Sequence, residues 1–340
     1  MTNPSIRILL AMSKWDYNDQ RRGFSFQYET LFPAFKSLNS VEVRFCDTSH
    51  LYSKKIKSRR MFELKEQIKT FQPHQIWFLL SQPDDIDHEL LLELKENPKL
   101  MTCNWYADDS WRFEDFTTQT VHLFDRAITT DAEAYKKYQA LGISGVIKTQ
   151  WAAAFLKKPA PPQTVRYDVS FCGQPHTDRR LMIETMRRKG FPVETFGYGW
   201  SKNGFTHHWN RVRKYFNLPL PSFSLGKVSQ QEMHDIFQHS RINLHFSKNS
   251  AGSYAIHART FEVPGLGGFL LSEYVEGLEE YFRIGEEIDV FHDGEELSDK
   301  VAYYLANDDL RIKMAEKGFE RVAREHMYTH RLTEILKTIG

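Results

Sequence analysis

The residue types best suited to ligand chemistry are a charged pair, Arg259 and Glu262, in the segment RTFEVPGLGGFLL. An arginine fits a diphosphate because its guanidinium donates paired hydrogen bonds to phosphate oxygens. A glutamate can accept hydrogen bonds from both vicinal hydroxyls of a ribose, each contributing on the order of 1.5–3 kcal/mol. The pair therefore predicts a nucleotide-sugar site. The alternative is an ion pair on a helix surface, which contributes about 0.2–0.5 kcal/mol.

The elements around this pair are predicted to be a short helix, a glycine turn and a buried strand. The apolar run at 269–271 suits a strand buried on both faces of a parallel sheet better than a helix. Gly267 and Gly268 come just before it, and glycine lets the backbone approach a ligand closely. We therefore expect both glycines to contribute to the same site.

A second anion site is indicated by the segment YDVSFCGQPHTDRR. A strand over 169–172 ends at Gly173, and a helix is predicted to begin near Asp178. Such a helix N-terminus presents unpaired N–H groups to anions. Arg179 lies in its first turn, where it either contacts the anion or is simply exposed to solvent.

Two further loops carry polar side chains at the ends of predicted strands. The loop SKNSAGSYAIH at 247–257 is expected to border the base or the sugar through Lys248, Asn249 and Ser253.

Carboxylates follow two strands in the first half of the chain. Asp16 follows the strand over 6–12, and Asp108 and Asp109 follow the strand over 100–105. Paired aspartates can hold a divalent metal or act as a base, and they can equally cap the next turn.

The order of elements predicts two α/β domains. Strands alternate with helices over 1–156, which implies a parallel sheet with helices on both faces. A proline cluster opens a linker at 157–167, and the alternation starts again over 168–340. Polar residues at 82–85 are expected to cap one of the helices. The total length suits two domains of about 160–180 residues each.

Composition argues against several classes of partner. A net charge of +1 gives no electrostatic reason to expect nucleic acid, and the basic run at 54–60 is expected to be a solvated helix start. Three widely spaced cysteines indicate buried thiols in a reducing compartment. The first apolar run is too short for a signal peptide or a membrane span, so we expect a cytoplasmic protein.

The sequence contains no motif that is typical of metal binding or of hydrolysis through a covalent intermediate. The 14 histidines include no HExxH, and the adjacent pair at 207–208, in a loop of Trp, His and Arg at 205–216, chelates poorly. No Gly-x-Ser-x-Gly elbow is present. We therefore expect no metal and no bound cofactor.

The strings RTFEVPGLGGFLL, GLEEYFRIGEEIDVF, EELSDKVAYYL and EHMYTHR together resemble the C-terminal domain of the CgeB-like (spore maturation protein type) glycosyltransferases. The resemblance is dense over about 170–336 and thinner over the N-terminal half. It implies the GT-B fold, an α/β arrangement of two Rossmann-like doubly wound domains facing a cleft. It also implies transfer of a sugar from a nucleotide sugar to an unidentified acceptor, glycan, protein or small molecule.

The resemblance assigns roles to particular residues. Glu262 matches the second of two glutamates in the wider group, the one that binds the ribose, whereas Tyr254 stands where the first would be. The donor diphosphate is placed near Gly173, with Arg179 and Arg259 as its basic partners. The acceptor is expected on the first domain, and the last helix is expected to pack back on it.

The resemblance also bears on catalysis. It implies that the diphosphate is handled without a metal, and an inverting reaction requires a base, for which Asp16, Asp108 and Asp109 are the candidates. Two alternatives stay open. One is a catalytically silent binding or assembly protein on the same fold, and the other is a nucleotide-sugar epimerase, which needs the donor but no acceptor.

Overall fold

The computed structural model describes residues 6–49, 54–81, 87–197, 199–200, 228–249 and 251–339, without the side chains of 54–60 and 162. Three sequence-based expectations fall outside this description: the cap at 82–85, the loop at 205–216 with its histidine pair, and the side chains of the basic run. The described chain divides into two compact units, residues 1–154 with 328–340, and residues 155–327.

The first unit contains a parallel six-stranded sheet with the order β2-β1-β3-β4-β5-β6. Strand β1, which lies between β2 and β3, has side chains that alternate between two apolar cores. Leu9 and Ala11 face one core, whereas Ile8 and Leu10 face the other, and all four are fully buried. This period of two, buried on both sides, is what a parallel strand between two helical layers requires. The strands are β1 Ile6–Met12, β2 Val41–Asp47, β3 Gln75–Phe78, β4 Met101–Tyr106, β5 Arg126–Thr129 and β6 Val146–Lys148.

Helices of the first unit connect successive strands. Aspartates begin two of them, since the carboxylates of Asp87 and Asp131 accept hydrogen bonds from N–H groups of the first turn. The α-helices are Phe32–Lys36, Lys54–Phe71, His88–Lys95, Asp109–Arg112, Thr118–Thr120, Ala132–Ala140 and Tyr328–Ile339.

The second unit contains a parallel five-stranded sheet with the order β11-β10-β9-β7-β8. Its first strand therefore lies between its second and third, as in the first unit. The short strand β11 was not among the strands predicted from sequence. The strands are β7 Tyr167–Cys172, β8 Val193–Phe196, β9 Ser240–His245, β10 Leu270–Glu273 and β11 Asp289–Phe291. The prediction of two parallel, doubly wound α/β units is confirmed.

Helices of the second unit have clear start signals. Ser229 and Glu232 form a complete capping box, in which each side chain accepts a hydrogen bond from the backbone N–H of the other residue. The helices are Arg179–Arg188, Gln230–Gln238, Arg259–Gly265, Gly294–Ala306 and Asp308–Glu325. Tyr167, which the expected linker included, is the first residue of β7.

The C-terminal helix Tyr328–Ile339 completes a core of the first unit. Its residues Tyr328, Leu332 and Ile335 are at most 2% exposed and pack in the same cluster as Ile8 and Leu10 of β1. The amphipathic spacing of its apolar residues supplies one continuous buried face. The first sheet is therefore covered on one side by residues from the end of the chain.

We expect Ile335→Ala to lower the free energy of unfolding of the first unit by about 2–5 kcal/mol, because it leaves a cavity in this core. Urea unfolding measures the loss. The matched control is Lys337→Ala on the exposed face of the same helix. Equal effects of the two substitutions would show that the helix does not stabilise the first sheet.

Candidate functional site

The second unit has a cavity of about 260 Å³ at the carboxyl ends of β7 and β9. These two strands are neighbours that are joined through other elements, so the chain winds away from them in opposite directions. Ligands of open α/β sheets bind at such a switch point. The lining residues are Phe171, Cys172, Gly173, Gln174, His176, Arg179, His245, Phe246, Asn249, His257 and Arg259.

Three nitrogen atoms of residues that line this cavity are buried without a hydrogen-bond partner. They are Nε of Arg179, Nδ1 of His257 and Nε of Arg259. A buried polar atom left unpaired is unfavourable by about 1–3 kcal/mol. An anion held between these side chains would supply the missing acceptors.

The electrostatics of the cavity are those of an anion site. Burial, and then the charge of Arg259, lower the pKa of Arg179 to about 10. Burial, with Arg179 and Arg259, lowers the pKa of His257 to about 4. Burial, His257 and the two arginines hold the pKa of His245 well below its usual value. Both imidazoles are therefore neutral at pH 7, beside two guanidinium groups that repel each other.

Arg179 ties together the loops that form the cavity. Its Nη2 donates to the carbonyl oxygen of Phe246 at 3.1 Å and to that of Lys248. Its Nη1 donates to the carbonyl oxygen of Gln174 at 3.4 Å. Arg179 is therefore not a solvent-exposed first-turn arginine. Its side chain connects the turn after β7 to the loop after β9.

Gly173 is required by close packing at the end of β7. A Cβ at this position would lie 2.6 Å from the ring of Phe171. The Gly173 N–H donates to the carbonyl of Phe196 at 2.8 Å, and its own carbonyl accepts from Nε1 of Trp200 at 2.7 Å. The predicted anion site at Gly173 thus has a backbone held in place from two sides.

Glu262 lies one helical turn beyond Arg259 and is only 8% exposed. No lysine, arginine or histidine nitrogen of the described residues lies within 4 Å of its carboxylate oxygens. The alternative of a surface ion pair with Arg259 is therefore wrong. Burial raises the pKa of Glu262, and the charge of Arg259 opposes that rise. Burial, and to a lesser extent the charge of Glu262, raise the pKa of the cavity residue Cys172 to about 12, against the charge of Arg259. Glu262 itself is not among the residues that line the cavity.

Lys248 and Ser253 are not among the cavity-lining residues. The Lys248 ammonium lies 3.3 Å from Oδ2 of Asp178 and 5.4 Å from the ring centroid of Tyr254. The Ser253 N–H donates to Oδ1 of Asn249 at 3.0 Å and closes a turn. These two residues shape the loop, whereas Asn249 does line the cavity.

Gly267 and Gly268 lie at a different edge of the sheet. They precede β10, and hence stand at its amino end, whereas the cavity is at the carboxyl ends of β7 and β9 in the same parallel sheet. A Cβ on Gly267 would lie 2.4 Å from the backbone of Pro159, and one on Gly268 would lie 2.6 Å from the carbonyl of Phe237. The close approach for which these glycines are needed is therefore to the chain itself.

Sequence reasoning missed His245, His257 and Glu273. The Glu273 carboxylate accepts the N–H groups of Ser247 at 2.9 Å and Lys248 at 3.2 Å, which fixes the loop after β9. The signal was available in part, because His245 lies in the apolar run that forms β9 and is the last residue of that strand. His257 could be placed only once the path of the loop was known.

The first unit has a cavity of about 260 Å³ at the equivalent place, the carboxyl ends of β1 and β3. Asp16 and Asp108 both line it. Asp16 forms an ion pair with Nε of Arg22 at 3.0 Å. Burial raises the pKa of Asp108, against a hydrogen bond from Nε1 of Trp111 at 3.3 Å. The lining is Ser13, Trp15, Asp16, Tyr17, Asn18, Ser25, Phe26, Gln27, Thr48, Leu79, Leu80, Ser81 and Asp108.

Asp109 does not reach this cavity. It is 3% exposed, and its two carboxylate oxygens accept hydrogen bonds from Thr117 at 2.5 Å and Tyr138 at 3.0 Å. Burial raises its pKa to about 6. Adjacent residues at a helix start point in different directions, which is why only one of the two aspartates faces the cavity.

Within the described ranges, no group of three His, Cys, Asp or Glu side chains is arranged to hold a metal ion. No helix in the described part of the chain is long and apolar enough to cross a bilayer.

Comparison with known proteins supports these observations. Residues 178–337 match the family model described as glycosyl transferase-like. No curated protein sequence matches the chain.

Solved structures are similar over nearly the whole chain. Sucrose-phosphate synthase from Thermosynechococcus elongatus has a TM-score of 0.63 at 10% identity, covering 98% of this chain and 99% of that one. Anabaena Alr3699/HepE, in complex with UDP and glucose, has a TM-score of 0.61 at 11% identity, covering 98% and 99%. A putative UDP-N-acetylglucosamine 2-epimerase from Listeria monocytogenes has a TM-score of 0.57 at 13% identity, covering 98% and 96%.

One similar structure is longer. The chain spans about half of TarM, covering 54% of that protein with a TM-score of 0.52 at 10% identity. At such low sequence identities, the structural similarity establishes the fold alone. The protein has the GT-B fold, built from two Rossmann-like α/β units.

We expect stability to fall as the pH falls from 7 to 5, because His257 is buried in neutral form. Its folded pKa of about 4 lies below its unfolded value of 6.5. The unfolded state therefore binds more protons in this range, and the loss is about 2 kcal/mol at pH 5. Urea unfolding at both pH values measures it.

His257→Gln should reduce this pH dependence and leave the contributions of His245 and His234, whose pKa values burial also lowers. It should also leave the opposing contributions of Asp109 and Glu194, whose pKa values burial raises. His122→Gln, at an exposed position of the first unit, is the control. An unchanged slope in His257→Gln would show that the imidazole is not buried as described.

Proposed function

We propose that the protein is a CgeB-like glycosyltransferase that moves a hexose from a nucleotide sugar to an acceptor. The observation that carries the proposal is the set of unpartnered buried nitrogens of Arg179, His257 and Arg259 at the switch point of the second sheet. The glycosyl transferase-like match covers this part of the chain from residue 178 onward.

In this proposal the donor diphosphate occupies the cavity of the second unit. Arg179, His257 and Arg259 donate to its oxygens and stabilise the charge that develops on the leaving group. Two guanidinium groups balance the diphosphate charge, so we propose that no metal is required. Glu262 accepts hydrogen bonds from the ribose hydroxyls, which would offset the unfavourable burial of its carboxylate.

The acceptor is proposed to bind the cavity of the first unit. Asp108 is the better candidate for a base, because burial raises its pKa toward the range in which a carboxylate removes a proton effectively. Asp16 lines the same cavity, but Arg22 holds its carboxylate in an ion pair. A retaining reaction would need neither residue as a base.

An epimerase is the second candidate function, because the similar structures include a putative UDP-N-acetylglucosamine 2-epimerase. Such an enzyme would use the nucleotide sugar alone. Incubation with a nucleotide sugar and no acceptor separates the two functions, since only the epimerase would form an isomeric nucleotide sugar.

We expect a nucleoside diphosphate to raise the melting temperature, with and without a divalent metal. A ligand at 100 times its Kd stabilises a protein by about 2.7 kcal/mol. The test is a thermal-shift screen of nucleoside diphosphates and nucleotide sugars. Arg179→Met and Glu262→Ala should abolish the shift, whereas Arg188→Met, on the exposed side of the same helix as Arg179, should retain it. If no nucleotide stabilises the protein, a silent assembly protein becomes the better interpretation.

We expect Asp108→Asn to lower turnover by about 10²–10⁴-fold in an inverting enzyme while leaving the nucleotide shift intact. The exposed Asp115→Asn, which lies in the same loop region, is the control. Asp109→Asn should instead lower the melting temperature, because its carboxylate holds the core hydroxyls of Thr117 and Tyr138. Full activity in Asp108→Asn would remove it as the base.

A further inference from the structure

A second concave surface lies on the first unit, beside the acceptor cavity. It is a groove of about 690 Å³ between the edge strand β2, the start of the Phe32–Lys36 helix and the Lys54–Phe71 helix. The proposed transfer reaction gives this groove no role. Its lining residues are Lys14, Tyr28, Phe32, Val43, Arg44, Phe45, Asp47, Glu66, Gln67 and Thr70.

Half-buried aromatic rings form one wall of this groove. Tyr28 lies 5.7 Å from Phe32 and 5.0 Å from Phe45 between ring centroids, and Phe32 lies 5.4 Å from Phe45. All three rings are partly accessible to solvent. Apolar rings that remain accessible at the wall of a concave surface indicate a ligand with an apolar face.

The opposite wall of the groove is polar. Glu66, Gln67 and Thr70 project from one face of the Lys54–Phe71 helix, at the i, i+1 and i+4 positions. A carboxylate, an amide and a hydroxyl offer both donors and acceptors of hydrogen bonds. A groove with one aromatic wall and one polar wall suits a sugar. The C–H face of a sugar packs on aromatic rings, and its hydroxyls form hydrogen bonds with polar side chains.

Other classes of ligand fit the groove less well. Nucleic acid is disfavoured because the charges of the lining balance, Lys14 and Arg44 against Asp47 and Glu66, so the groove has no excess positive charge for phosphates. A lipid chain would leave the polar wall unpaired. A neutral oligosaccharide satisfies both walls.

The groove and the acceptor cavity are adjacent on the first unit. After β1, Ser13 and Trp15 line the cavity, and Lys14 between them lines the groove. The ring of Trp15 stacks on Phe24 at 4.9 Å.

From Phe24 the row of rings continues to Tyr28, again at 4.9 Å. The Lys14 ammonium lies 5.0 Å from the ring centroid of Tyr28 and 5.2 Å from that of Trp15. An aromatic row therefore leads from the cavity into the groove.

We propose that the groove binds the extension of an oligosaccharide acceptor whose terminal sugar occupies the neighbouring cavity. The inference rests on the proposed function, and it narrows the acceptor to a glycan of several residues. A monosaccharide or a small aglycone would fill the cavity and leave the groove empty.

The test is the binding of maltohexaose, cellohexaose and chitohexaose, each compared with its disaccharide, measured by titration calorimetry on the full chain. We expect at least one hexasaccharide to bind about tenfold or more tightly than its disaccharide. Phe45→Leu and Gln67→Ala should remove that gain, the first by replacing a ring and the second by removing an amide from a helix surface. Phe62→Ala, an exposed ring on the same helix outside the groove, is the matched control and should retain it.

The nucleotide thermal shift is measured on the same samples, so that the two hypotheses fail separately. Hexasaccharides that bind no better than disaccharides, or a gain that both groove variants retain, would overturn the groove proposal even where nucleotides bind. A length-dependent gain without any nucleotide shift would leave the groove as a glycan-binding site and overturn the transferase.

Discussion

The unpaired buried nitrogens at the cavity are the constraint on which the site of the second unit depends. They belong to Arg179, His257 and Arg259. Two guanidinium groups and a neutral imidazole surround one cavity, and each has one buried nitrogen without a hydrogen-bond partner. The Nη1 and Nη2 atoms of Arg179 donate hydrogen bonds to carbonyl oxygens in the loops after β7 and β9. The loops therefore hold these charges apart from water in advance, and binding of an anion needs little further ordering.

Each unit builds its cavity by the same topological rule, but the two cavities have opposite chemistry. In both sheets the first strand lies between the second and third, which opens a crevice where the winding changes direction. The first unit fills the edge of this crevice with carboxylates, Asp16 and Asp108. The second fills it with arginines and histidines. One unit is thereby suited to a neutral, hydroxyl-bearing molecule and the other to an anion.

The sequence predicts most of the strands because a short apolar run that is buried on both faces has few other solutions, but it misses β11, which has only three residues. It also points to Arg179 and Arg259, which line the cavity of the second unit, whereas the ribose contact of Glu262 stays a prediction. It misplaces Gly267 and Gly268, because a glycine turn has the same appearance whether the approaching group is a ligand or the chain's own backbone at Pro159.

The choice between Asp108 and Asp109 is likewise beyond a sequence pattern. It depends on the direction in which each side chain leaves a four-residue helix. It also depends on the hydroxyls of Thr117 and Tyr138, which lie in the core and donate hydrogen bonds to the Asp109 carboxylate. Contacts between distant segments of this kind have no local signature.

The contribution of residues 328–340 to the first unit has a consequence for synthesis of the protein. The ribosome makes the strands of the first sheet early, but the helix that covers one side of that sheet emerges only after residues 155–327 have been made. At usual elongation rates this interval is roughly 10 to 30 s. During it the surface around Ile8 and Leu10 lacks its final cover. The half of the protein that is made first therefore cannot finish folding until the end of the chain has been made.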